Sequence, residues 1–262
     1  MQKGVTKSAM PRYRLTLEYD GRPYVGWQRQ ENGPSVQEAL ERAAFGLTGR
    51  ETSVIAAGRT DSGVHATGQV CHLDIERDFA PDRLRAALNA YLKDESVVVL
   101  RAARVGEDFH ARFSATGRAY LYRILNRRAQ PTLDKGRVWW HPRALDADAM
   151  HDAAGLLLGT HDFSSFRASE CQASSPVKTL DRLDVARVGD EVRLVVEARS
   201  FLHHQVRNFA GTLALVGQGK WTKADLRRAL EARERRAGGP TAPPDGLYLT
   251  RVDYPMEASE SD

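Results

Sequence analysis

The sequence predicts an α+β fold: two ferredoxin-like α/β units related by a pseudo-twofold, a mixed, mostly antiparallel sheet with helices on one side, and a central active-site cleft. Three observations predict it. Stretches of strand-like alternation and helix-like spacing follow one another as β-α-β-β-α-β through the first half. The second half echoes that order with one more helix. No residue-level repeat accompanies the echo, so it is one of topology only.

Arg12 to Tyr19 alternates, with Tyr13, Leu15, Leu17 and Tyr19 on one face, and Asp20-Gly21 turns the chain. Ser35 opens a helix, with Glu38 completing a capping box and Val36, Ala39, Leu40, Ala43 and Leu47 as its apolar stripe. Val54 to Ala57 is a short strand running into a glycine-containing loop, and Gln69 to Ile75 is the strand that leaves it. Pro81 suits the first turn of a second helix, where Leu84, Ala87, Leu88 and Tyr91 recur at helical spacing. Val97 to Val105 is a further strand, and the segment from Asp108 to Ser114 crosses between halves. Arg118 to Asn126 is a strand and Asp146 to Leu158 a helix. Thr179 to Val188 and Val192 to Arg199 form a hairpin around Gly189-Asp190. His203 to Val216 is a helix, Thr222 with Asp225 caps another that is rich in arginine, and Gly246 to Tyr254 is a last strand. The expected organisation is a flexible tail at 1–11, a first unit over 12–112, a second over 113–255 and a tail at 256–262.

At 262 residues the chain is long enough for a sizeable core, and 42% hydrophobic with 27% charged residues is ordinary for a globular protein. No stretch approaches the roughly 20 apolar residues of a membrane span, and the start lacks a secretory apolar core. Cys71 and Cys171 match no metal or redox spacing, and read as reduced thiols of a cytoplasmic protein. Net charge is +4, and only seven of the 38 basic residues are lysine, which leaves 31 arginines. Arginine's planar fork suits phosphate and base contacts, although a genome rich in arginine codons would leave the same mark.

One loop concentrates candidate chemistry. Gly58-Arg59-Thr60-Asp61-Ser62-Gly63-Val64-His65-Ala66 sets a carboxylate two positions from a guanidinium, between two strands. A neighbouring cation keeps a carboxylate ionised, ready to act as nucleophile or base. The same residue types also build ordinary turns.

That loop, followed by Gly68-Gln69-Val70, resembles the signature of the TruA family of tRNA pseudouridine synthases. The likeness continues in order through Tyr19-Asp20-Gly21, Gly26-Trp27-Gln28-Arg29-Gln30, Ser35-Val36-Gln37-Glu38, Asp108-Phe109-His110-Ala111-Arg112 and Arg118-Ala119-Tyr120-Leu121-Tyr122. In the second half it takes in Asp162-Phe163-Ser164-Ser165-Phe166, the segment from Phe201 to Asn208, and Gly246-Leu247-Tyr248-Leu249.

The resemblance implies an isomerase that converts uridine to pseudouridine at positions 38, 39 and 40 of the tRNA anticodon stem-loop, without cofactor or metal. It implies Asp61 as the catalytic residue, Arg207 as its ion-pair partner, Tyr120 as a ring to stack on the flipped uracil, and Leu247 as an apolar wall of the base pocket. A carboxylate suits the reaction because breaking an N-glycosidic bond builds positive charge on the sugar; addition to the base and proton removal from the sugar remain open as well. Arg59 is a candidate to hold the extruded nucleotide, by its adjacency to Asp61. Arg29, Arg112, Arg118, Arg123, Arg127 and Arg128 are candidates to line a basic cleft, with Trp27 for stacking. The resemblance also implies a homodimer with one tRNA spanning both subunits. The alternative is a tRNA-binding or tRNA-folding protein without isomerase activity, which would have no need of Asp61, Tyr120 and Arg207 together. His203 and His204 read as adjacent helical positions pointing about 100° apart, which argues against a shared metal ion.

Overall fold

The computed structural model describes residues 10–255. The tail expected at 256–262 and residues 1–9 of the tail expected at 1–11 lie outside the described residues. Pro11 is tied down: its carbonyl accepts the Ile75 N–H at 3.0 Å.

In the first half, β1 (Arg12–Tyr19) buries Tyr13, Leu15, Leu17 and Tyr19 on one face, as the alternation requires. Helix α1 (Val36–Thr48) starts where the Ser35 hydroxyl accepts the Glu38 N–H. The expected capping box is half made, since the Glu38 carboxylate leans instead toward Arg42, one turn on. Then follow β2 (Ile55–Ala56), β3 (His65–Asp74), α2 (Pro81–Tyr91) and β4 (Val97–Val105). Strand β3 begins at His65, four residues before the expected start, so the last two residues of the Asp61 loop motif, His65 and Ala66, are already sheet.

The second half runs β5 (Gly117–Leu125), β6 (Trp139–Trp140), α3 (Ala147–Ala154), β7 (Gly159–Asp162), β8 (Val177–Val188), β9 (Glu191–Ala198), α4 (Gln205–Gly217), α5 (Lys223–Ala232) and β10 (Leu247–Asp253). The short β6 and β7 have too few residues to show a period. Thr222 and Asp225 make the full reciprocal cap that opens α5. Helix α4 is apolar nearly all round and is buried to match: Val206, Phe209, Ala210 and Leu213 are all covered, and Phe209 packs against Phe163 and Phe166 at ring separations of 5.4 and 5.1 Å.

The strands form one mixed sheet in the order β4-β1-β3-β10-β5-β9-β8-β7, with β2 beside β3 and β6 beside β5. Neighbours along the main order are antiparallel except at one place. There β3 and β10 run parallel, pairing His65 with Tyr248 and Ala66 with Leu249. This short parallel seam joins the two halves, and it needs close backbone approach: a Cβ on Gly68 would lie 2.1 Å from the Thr250 carbonyl oxygen. No helix among the described residues is long and apolar enough to cross a membrane.

Candidate active site

The loop before β3 is held from below by buried polar groups. Gln69 Nε2 donates to the Gly58 carbonyl at 2.8 Å. Thr60 is buried and its hydroxyl shares a 2.8 Å hydrogen bond with the Tyr19 hydroxyl. The Trp27 N–H donates to the Thr60 carbonyl, and the Val64 N–H to the Asp61 carbonyl, at 3.0 and 3.1 Å. Gly63, at φ 77°, makes the left-handed turn that sends the chain into β3. The residues on either side of Asp61 are therefore pinned, and its half-buried side chain faces the second half.

The second half answers with three cationic or potentially cationic groups. From the first turn of α4, Arg207 Nη1 donates to Asp61 Oδ2 at 3.2 Å, while its Nε donates to the Ala242 carbonyl at 2.8 Å. That second bond orients the guanidinium, leaving one edge for the carboxylate. His203 Nε2 lies 3.1 Å from Asp61 Oδ1, and His204 Nε2 lies 3.3 Å from Oδ2.

The two histidines correct a sequence expectation. They stand just before α4, which begins at Gln205. His204 adopts φ 62°, a left-handed conformation that costs a non-glycine residue about 1–2 kcal/mol. The flip brings both rings to one side, with centroids 4.0 Å apart. The helical spacing that would have splayed them does not apply. Among the described residues, Asp61, His203 and His204 form a group that could hold a metal ion, their ligand atoms all lying within 4.8 Å of one another.

The electrostatics follow from these contacts. Burial pushes the Asp61 carboxyl up, but the His203 hydrogen bond and the charges of His204, His203 and Arg207 outweigh it and hold the group below its ordinary value. The Asp61 hydrogen bond raises His203, whereas burial leads in lowering His204. A raised histidine contributes stability that is full below its unfolded value of 6.5 and fades as pH rises through the folded value; a depressed carboxyl contributes stability that is full above 3.8 and fades as pH falls through its folded value. The Asp61–His203 contact is therefore at full strength between those limits. His203→Asn is expected to lower stability there by less than about 1 kcal/mol, because the ring is partly exposed, and the deficit should shrink toward alkaline pH. Urea midpoints of both proteins across that range check it; a deficit that grows with pH would refute the assignment.

The other expected site residues divide. Tyr120 lies in β5 with its ring edge-on to Phe201 at 5.1 Å. Burial pushes its phenol up to about 12, with the Asp61 charge adding to the rise against Arg118, so it is a neutral O–H donor close to the aspartate. Leu247 opens β10 opposite Tyr122 and is 6% exposed, part of the hydrophobic core. Arg59 is exposed on the loop without an ion pair among the described residues.

Several residues expected at a nucleic-acid surface also carry bonds that hold the fold. Trp27 is 2% exposed and packs near Tyr19, so it offers no free face. Arg118 donates to the Ala57, Arg112 and Arg199 carbonyls, and stitches the Asp61 loop to β5. Arg123 pairs with Glu191 and Asp134. Arg127 and Arg128 do border an open hollow, together with Arg143 and Arg187.

The fold thus sets one ionised carboxylate, supplied by one half of a continuous sheet, against an arginine and two histidines from the other. A family model described as tRNA pseudouridine synthase matches residues 16–114 and 153–255. The chain is 63% identical over 250 residues to a tRNA pseudouridine synthase A of Rhodospirillum rubrum, covering 95% of this chain and 90% of that one. It is 62% identical over 252 residues to its namesake in Paramagnetospirillum magneticum, covering 96% and 98%, and 61% identical over 249 residues to that of Maricaulis maris, covering 95% and 100%. A distant likeness, with a TM-score of 0.36 and 13% identity, covers 90% of this chain and 48% of a chain in a crystal structure of a Cbf5-Nop10-Gar1 complex, and carries no weight beside these relatives. The chain belongs to the tRNA pseudouridine synthase family, and it is an isomerase.

Proposed function

We propose that the protein converts uridine to pseudouridine at positions 38, 39 and 40 of the tRNA anticodon stem-loop, with Asp61 as nucleophile and no cofactor. The observation that carries this reading is the 3.2 Å contact between Asp61 and Arg207, two residues 146 positions apart in sequence. In the proposed reaction the C1′–N1 bond breaks, its electron pair leaves with the uracil, and an Asp61 oxygen bonds to C1′. The uracil turns, C5 displaces the carboxylate from C1′, C5 gives up its proton, and N1 ends protonated. Every heavy atom of the uridine is retained; the C5 proton goes to solvent and N1 takes one from it. Arg207 keeps Asp61 ionised and aimed. Tyr120 stacks on the extruded ring, and Leu247 supplies apolar surface beneath it. Tritium placed at uracil C5 must appear in solvent if this is right; a wild-type protein that releases none would exclude it and favour a tRNA-binding protein without isomerase activity.

Arg59 fits the role of holding the extruded nucleotide, because its guanidinium is exposed and uncommitted beside Asp61. Extruding a base costs a few kcal/mol, so Arg59→Ala should lower kcat/KM on folded tRNA by about tenfold or more, with thermal stability unchanged. Equal turnover by the variant would remove Arg59 from the mechanism.

The strand orders β4-β1-β3-β2 and β10-β5-β9-β8 support reading residues 12–112 and 113–255 as two ferredoxin-like units related by a pseudo-twofold. The likeness to the family supports a cytoplasmic homodimer with one tRNA spanning both subunits.

A further inference from the structure

We propose that Asp61, His203 and His204 form a binding site for a divalent cation of the zinc class, and that its occupancy switches the isomerase off. The donor set is one carboxylate and two imidazoles. Such borderline ligands favour zinc, copper or nickel over magnesium and calcium, which prefer oxygen. The spacing suits a small ion. Zinc sits about 2.0–2.2 Å from nitrogen and oxygen ligands, so neighbouring ligands of a tetrahedral shell stand about 3.3 Å apart. His203 Nε2 and His204 Nε2 already lie 3.1 and 3.3 Å from the two Asp61 oxygens, and all the ligand atoms fall within 4.8 Å of one another. The rings present the same nitrogen to the carboxylate, and the left-handed backbone of His204 holds them side by side. All three side chains are partly exposed, so an ion reaches them from solvent. A rotation of the Asp61 carboxylate completes the set and leaves a fourth position for water.

One contact opposes binding. Arg207 lies 3.2 Å from Asp61 Oδ2, and a cation on the carboxylate must compete with it. Oδ1 faces His203 instead and is the oxygen a cation reaches at least cost. A bound cation takes the lone pairs that the proposed nucleophile needs, loosens Arg207 from the carboxylate, and occupies the space beside Tyr120. Inhibition by this route rests on the reading of Asp61 given above; the binding itself does not.

Equilibrium dialysis of the untagged, chelator-treated full-length protein against ZnCl2 tests the site. The expected result is saturable binding of one Zn2+ per chain, undisturbed by excess Mg2+. Removing ligating side chains should weaken it more than the about 10–100-fold that loss of supporting residues costs, so the His203→Asn/His204→Asn double variant should bind at least about tenfold more weakly. C5 tritium release should fall in step with occupancy and return on adding EDTA. Absence of saturable binding, or unchanged binding by the double variant, would overturn the site. Binding without inhibition would overturn the switch. If circular dichroism shows the double variant unfolded, Co2+ on the wild type decides: intense visible bands of a low-coordinate nitrogen and oxygen shell support the site, and the weak bands of hydrated Co2+ refute it. A metal-free wild type that releases no tritium would sink the proposed function while leaving the dialysis result to judge the site alone.

Discussion

Asp61→Asn is expected to abolish isomerisation, lowering C5 tritium release by about 10⁴-fold or more, as loss of a nucleophilic or charge-bearing group does in other enzymes. The amide has nearly the carboxylate's shape, so the loop geometry should survive. It lacks the charge, and its oxygen is a poor nucleophile. That loss corresponds to about 5.5 kcal/mol of transition-state stabilisation. Binding of tRNA should change little, because affinity for RNA comes mainly from phosphate contacts spread over the surface. The variant carries a second signature. Asp61 is the leading reason His203 is raised, so the His203 imidazole should titrate lower in Asp61→Asn, which NMR of the ring protons would report. Tritium release close to wild type would remove Asp61 from the chemistry. An unshifted His203 would remove the contact on which the site is built.

Gly68→Ala is expected to destabilise the protein by about 3 kcal/mol, the upper part of the range for overpacking, and to depress activity through geometry. Its new methyl would collide with the Thr250 carbonyl oxygen, and neither partner can give way easily, since both belong to the strands of the seam. The seam is only two residue pairs long, and it sets where Asp61 stands relative to Tyr120 and Leu247. A shift of about 1 Å in such a register costs on the order of 10²-fold in rate. The control is Gly155→Ala, whose methyl meets nothing within 4 Å at an ordinary helical backbone, and which should be neutral or slightly stabilising. Urea midpoints separate the two. A Gly68→Ala protein as stable as Gly155→Ala would show that the seam has slack.

The contrast between these two sites marks what the sequence makes legible. Local patterns were readable because their causes are local. Tyr13, Leu15, Leu17 and Tyr19 alternate because one face of β1 is buried, and Gly189-Asp190 turns the β8–β9 hairpin with Gly189 at φ 58°. The Asp61 loop and Arg207 were readable through the collinear resemblance. The pairing of β3 with β10 was not, because it joins strands some 180 positions apart and leaves no local trace beyond a glycine. The histidine pair was misread for a specific reason. Apolar spacing suggested that α4 began at His203, but the left-handed residue at 204 ends the regular geometry before the helix starts. Arginine identity likewise could not separate Arg118 and Arg123, which bind carbonyls and carboxylates, from Arg59, which stays free.

The two ends of the strand order carry a consequence of their own. Among the described residues, β4 and β7 each have a partner on one side only, so each presents a row of unpaired backbone groups there. β7 is four residues long, too short to template another strand. β4 is longer, but it carries Arg101 and Arg104 and lies beside a register shift in β1, which spoils a straight edge. Both margins thus resist self-templating growth into ribbons or fibres. Two copies of this chain would have to meet through the faces and loops of the sheet, and the proposed homodimer is expected to keep two separate sheets.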